Sequence, residues 1–206
     1  EKYPFSVMRW GLCATADAVH DCHIDAEGFA TACSVLSGEK YWLVALPPDM
    51  DFGGFASAAT YLESYNEHMQ NDQGWVIVAL KLTPGTTLIM RPNTPHLVVT
   101  LAASICFGSH FYCSSTLRDT CFGIYHCFVQ RDFITNHTHP ESRRLLFYIL
   151  VSIHKAMEIG EEYLRLCKTK QHIPHLPNLG SFKGLNDLLC VINLIDLGSA
   201  IFAERY

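Results

Sequence analysis

Three side chains of metal-ligating type stand out: His23 and Asp25 in HDCHIDAEGFATACSVLSGEKYWLVAL (20–46), and His96 in LIMRPNTPHLVVT (88–100). On an extended segment residues two apart point the same way, so His23 and Asp25 share a face while Ile24 takes the other. His96 opens a distant strand whose entry is set by Pro92 and Pro95. Two imidazoles and one carboxylate on one side of a metal leave about three positions open, which suits non-haem Fe(II) binding a cosubstrate and oxygen together. A His-x-Asp pair alone is common. Its context here is a following Gly28, a strand containing Thr31, a Gly38 turn and Lys40. Lys40 reads as an anion anchor beside the metal or as a strand-end lysine in solvent. By alternation Trp42 shares its face.

Other histidines compete for the same role. His20 lies three residues before His23, so a regular strand turns it to the opposite face. His110 ends the last predicted strand, at a pocket mouth. His126, His137, His139, His172 and His175 fall outside the strand region and show no recognised metal spacing. No G-x-S-x-G elbow and no phosphate-cradling glycine loop occurs.

The elements that must position these groups are mostly short strands. The pattern predicts strands over 5–15, 16–25, 29–36, 40–46, 75–82, 87–90, 96–101 and 104–111, with turns at Ser37-Gly38-Glu39 and Pro84-Gly85. An insertion, 49–74, interrupts them and carries a predicted helix over 57–69. Eight short strands without alternating helices point to a mainly β barrel or sandwich. From Thr138 the character changes. Thr138-His139-Pro140-Glu141 has the form of a capping box opening a helix to about Lys168. A Pro- and Gly-rich loop, 171–184, and a tail helix, 185–203, close the chain.

The bulk numbers agree with one domain plus a helical appendage. The chain has 206 residues, 49% hydrophobic and 17% charged, with a formal net charge of −5. Direct nucleic-acid binding is not expected, because phosphate contacts need clustered Lys and Arg. The nine cysteines lack any C-x-x-C pair and read as buried reduced thiols of a nuclear or cytoplasmic protein. The polar residues in the tail helix argue against a membrane span. Asn136-His137-Thr138 matches a glycosylation sequon. No signal peptide is recognisable, and the chain opens on Glu1 rather than Met, as a piece of a longer protein would.

In HIDAEGFATACSVLSGEKYW (23–42) and LTPGTTLIMRPNTPHLVVTLAASICFGSHFY (82–112) the chain resembles the JmjC (Jumonji C) family of Fe(II)- and 2-oxoglutarate-dependent oxygenases. The likeness covers roughly residues 8–112. It implies a double-stranded β-helix, a jelly-roll or cupin-like barrel, over 1–137, with the C-terminal helical region 138–206 packed outside. It implies His23, Asp25 and His96 as iron ligands and Lys40 as partner of the distal carboxylate of 2-oxoglutarate. Thr31 becomes a candidate hydrogen-bond partner of that cosubstrate. The implied activity is hydroxylation or demethylation of a protein or peptide substrate, with a homodimer through the C-terminal helices as an expected assembly. Two alternatives stay open: a catalytically inactive cupin-like binding or scaffold protein, and a metal-dependent cupin enzyme that uses no keto acid.

Overall fold

The structure is a computed structural model and describes residues 8–46, 76–130, 139, 141–169, 171 and 176–203. The insertion 49–74 with its predicted helix, the sequon and Thr138 lie outside the described residues. Six strands form one hydrogen-bonded antiparallel system: β1 Arg9–Ala14, β2 Val19–His23, β3 Ala30–Leu46, β4 Val76–Leu82, β5 Thr87–Met90 and β6 His96–Phe111. Among the described residues four α-helices follow: α1 Leu117–Gln130, α2 Ser142–Glu158, α3 Glu161–Lys168 and α4 Phe182–Ala203.

The predicted eight strands become six because two pairs fuse. The segments 29–36 and 40–46 are one strand, β3, and 96–101 and 104–111 are one strand, β6. These two long strands pair with each other over almost their whole length. The first half of β3 also pairs with β5 and its second half with β4. The end of β6 pairs with β1 and its start with β2. Two four-stranded halves therefore share the same two central strands.

The corner between the halves explains the predicted turn. The β3–β6 register shifts between Val35 and Lys40. Gly38 sits there at φ +75°, and a Cβ on it would fall 2.1 Å from the carbonyl oxygen of Ala103. Only glycine combines that conformation with so close a crossing. The shift also changes the phase of alternation. Thr31, Cys33 and Val35 are buried before the corner, and Lys40, Trp42 and Val44 after it. Odd and even positions thus line one interior. Cys33, Val35, Trp42, Val44, Leu82, Met90, Val98 and Cys106 form its apolar core. Each large side chain withdrawn there contributes roughly 1.5–3 kcal/mol.

The helical region departs from expectation in three places. The helix α1 occupies a stretch to which the strand pattern assigned no element. The predicted 141–168 helix is broken at Ile159–Gly160, where Gly160 takes φ +67° and a new helix begins. At its start Glu141 is the N-cap without a side-chain cap bond, and its carboxylate accepts from Arg144; Thr138, the other half of the predicted capping box, lies outside the described residues. The tail helix begins at Phe182, ahead of the predicted 185. Gly184, which read as a loop residue, lies inside α4, where a Cβ would meet the Asn178 carbonyl oxygen at 2.1 Å. Ile124, Leu146 and Leu194 join α1, α2 and α4, while Met8, Phe29 and Leu145 tie α2 to the strands. No helix among the described residues is long and apolar enough to cross a membrane. Four of the nine cysteines are buried, Cys13 is exposed and the other four lie between.

Candidate metal centre

His23 ends β2 and His96 begins β6, and the two are register partners across the antiparallel pair. Their ring centroids lie 4.3 Å apart. Asp25 follows β2 directly, ahead of the short 3-10 turn Ala26–Gly28. The ligand atoms of His23, Asp25 and His96 all lie within 4.8 Å of one another, so the triad could hold a metal ion.

Both imidazoles are oriented for that task. His23 Nδ1–H donates to the Asp21 carbonyl at 2.7 Å, and His96 Nδ1–H donates to the Thr94 carbonyl at 2.9 Å. A carbonyl can only accept, so each ring carries its proton on Nδ1 and keeps the Nε2 lone pair for an ion. Trp42 stacks on His96 at 5.1 Å and 14°, fixing its plane. Burial, followed by the neighbouring His96 ring, holds His23 below the usual imidazole range, which favours the neutral ligating form.

Thr31 is register partner of His110 and reaches Asp25. Its hydroxyl donates to Asp25 Oδ2 at 2.5 Å and lies 2.8 Å from His110 Nδ1. The single hydroxyl hydrogen is therefore committed to Asp25 rather than to a bound cosubstrate.

Lys40 is only 1% exposed, which removes the solvent reading. Its Nζ donates to Thr100 Oγ1 at 2.9 Å. Glu39, the neighbour that competed for the interior, instead pairs with Lys81 at 2.9 Å on the outer face. Among the described residues no carboxylate lies within ion-pair distance of Lys40. Burial lowers its pKa, against the raising influence of Cys106 and Cys33. A buried ammonium with one neutral partner is costly unless an anion joins it.

His23, Asp25, His96, Thr31 and Lys40 all line one cavity of about 430 Å³. His110 lines it too, as the strand pattern suggested. Two histidines are not where that pattern put them. His20 lines the same cavity, because the β2–β6 register shifts between His20 and His23 and breaks strict alternation. Burial, then Lys40 and His23, lower its pKa. His139, assigned outside the strand region, lies 4.8 Å from the His110 ring at the cavity wall.

The sequence also misses the brace behind the site. Thr120 of α1 donates to the Gly28 carbonyl at 2.9 Å, on the turn after Asp25. Asn93, on the connection before His96, donates to the Asp119 carbonyl at 2.7 Å, and Arg91 pairs with the Asp119 carboxylate at 2.7 Å. One helix thus holds the segments carrying two of the three ligands. Its signal was present: Leu117, Thr120, Ile124 and Cys127 are buried at helical spacing.

No family model matches the chain. The chain is similar to JmjC-domain proteins. It is 26% identical over 168 residues to "JmjC domain-containing histone demethylation protein 1" of Caenorhabditis elegans, and 27% identical over 172 residues to the Caenorhabditis briggsae protein of the same name. Each match takes in 77% of this chain, which spans only 14% and 15% of those relatives. Among solved structures, the Drosophila melanogaster CENP-C cupin domain aligns at a TM-score of 0.36 and 10% identity, covering 53% of this chain and 65% of that one. A conserved Streptococcus pyogenes protein aligns at a TM-score of 0.31 and 14% identity, covering 50% of this chain and 60% of that one.

Proposed function

We propose that the chain carries a JmjC-like, double-stranded β-helical oxygenase domain over 1–137, with 138–206 packed on it as a helical region. In this reading Fe(II) is held by His23, Asp25 and His96, and 2-oxoglutarate by Lys40. The observation that carries it is a buried Lys40, with no carboxylate partner among the described residues, in the same cavity as the His-Asp-His set. The donor set fits: neutral Nε2 atoms and one carboxylate suit a divalent first-row ion with open positions. The cavity also fits, since about 430 Å³ accommodates a five-carbon dicarboxylate beside an ion.

Bound together, Fe(II) and 2-oxoglutarate would supply, with dioxygen as the oxidant, hydroxylation of a C–H bond coupled to loss of carbon dioxide from the keto acid, one oxygen atom going to the substrate and the other to succinate. The chain's residues set the stage for it. His23 and His96 present Nε2, held by their backbone acceptors. Asp25 offers the oxygen that Thr31 does not occupy. Lys40 neutralises the far carboxylate, and Trp42, Val98, Cys33 and Cys106 keep that end dry. The relatives' printed name favours demethylation of a protein substrate, and a hydroxylated product follows from the same chemistry.

The test is product formation. With Fe(II), ascorbate, oxygen and 2-oxoglutarate, either with a peptide substrate or without one in uncoupled turnover, the wild type forms succinate. His23→Ala and Asp25→Ala abolish it. Full turnover in either variant would remove the reading, and substrate oxidation that needs no 2-oxoglutarate and is unchanged in Lys40→Ala would favour a cupin enzyme that uses no keto acid.

A further inference from the structure

We propose that His110 is a positioning residue for the candidate metal centre, acting through Thr31 to leave Asp25 a one-oxygen ligand. The proposal rests on the metal reading above. Its geometry is a chain of two hydrogen bonds across one strand pair. An ionised carboxylate can only accept, so Thr31 Oγ1 must donate to Asp25 Oδ2 across the 2.5 Å contact. That leaves the hydroxyl as acceptor in its 2.8 Å contact with His110 Nδ1, which must carry the proton. With Asp25 taken as a carboxylate ligand of the ion, the direction of both bonds is fixed.

The arrangement has two consequences. Oδ2 of Asp25 is occupied by a charge-assisted bond, so Oδ1 is the oxygen left for an ion. The Thr31 hydroxyl, which could otherwise rotate, is locked because His110 fills its acceptor side.

His110 is itself held firmly. Its ring stacks on Phe29 at 5.5 Å and 26°, and lies 4.8 Å from His139 and 6.0 Å from Trp10. Phe29 in turn stacks on Tyr112 at 4.4 Å, and the Tyr112 hydroxyl donates to the Glu27 carbonyl at 3.0 Å, beside the Asp25 turn. The His110 backbone N–H donates to the Met8 carbonyl at 2.8 Å. A ring clamped in this way can set the rotamer of a hydroxyl. The partners of ligating groups commonly govern metal affinity by 10- to 100-fold.

The experiment is Co(II) binding to the purified chain, read from its visible ligand-field bands, without keto acid or oxygen. His110→Phe keeps the ring stacking and removes the N–H. It is expected to weaken Co(II) binding about 10- to 100-fold and to change the band pattern. Thr31→Val is expected to weaken binding by a similar factor, and the double variant by no more than either single change, because the groups act in series. His110→Asn, whose side-chain amide can replace the Nδ1–H, is expected to recover affinity to within about threefold and to restore the wild-type bands. If His110→Phe does not fold, Thr31→Val and His110→Asn decide the matter. Wild-type affinity and bands in His110→Phe or Thr31→Val overturn this proposal alone. So do losses that add in the double variant, or a folded His110→Asn that recovers nothing. A wild-type chain that takes up no Co(II) overturns the metal reading and this proposal with it.

Discussion

A lysine ammonium withdrawn from water beside one hydroxyl is a liability to the empty fold and an asset to an anion site. Lys40 is in that position. Replacing it with Met is therefore expected to stabilise the ligand-free chain by roughly 1–3 kcal/mol while removing keto-acid binding. Thermal unfolding and isothermal titration check the two halves of that statement, and a destabilised variant that still binds 2-oxoglutarate would contradict it. His126 gives an independent pH prediction. It is fully buried in α1 against Phe122, and burial pushes its imidazole down to about 4. The unfolded chain, with an ordinary pKa of 6.5, takes up that proton first. Stability is unaffected above about pH 6.5 and falls as pH drops towards 4, by on the order of 3 kcal/mol from this residue. Denaturant unfolding at pH 7 and pH 4.5 is expected to show the loss, and His126→Leu to flatten it.

Between residue and fold stand the elements that hold the ligands, above all the 3-10 turn Ala26–Gly28 and α1. Gly28 takes φ +61°, and a Cβ there would sit 2.2 Å from the Thr120 carbonyl oxygen. Gly85 has φ +86° with open space around it. Gly28→Ala is thus expected to cost about 2 kcal/mol or more and to weaken Co(II) binding, because α1 and the Asp25 turn must separate. Gly85→Ala is expected to cost only about 1 kcal/mol and to leave Co(II) binding unchanged. Equal effects on metal binding would remove α1 from the account. These elements also mark what was legible in the sequence. His23, Asp25, Lys40 and His96 could be read because alternation and turn residues are local signals. Gly38 read as a turn although it is a corner in one strand, since a positive φ and a strand crossing leave the same trace. The brace by Thr120 and Asn93 was not legible, because its bonds join segments far apart in the chain and α1 has a glycine and polar residues mid-helix. His20 was misplaced because one register shift in β2 reverses every alternation beyond it.

At the scale of the whole molecule, β3 and β6 run through both halves, so each contributes groups to both ends of one cavity. β3 carries Thr31 and Lys40, and β6 carries His96 and His110. Outside, α4 leaves Phe182, Leu185, Leu189 and Ile192 exposed at helical spacing, with Phe182 80% accessible. The homodimer expected from the C-terminal helices is proposed on this stripe. Sedimentation equilibrium should show self-association that Leu189→Glu abolishes, and a wild-type monomer at high concentration would contradict it. The central claim is that one cavity binds a metal and a keto acid together. Its most direct test is an anaerobic titration of the wild-type chain with Fe(II) and 2-oxoglutarate, followed by visible absorption. A weak charge-transfer band is expected that needs both additions and is absent in Asp25→Ala. A wild-type chain showing no band and no uptake of either component would contradict it and leave a cupin-like scaffold.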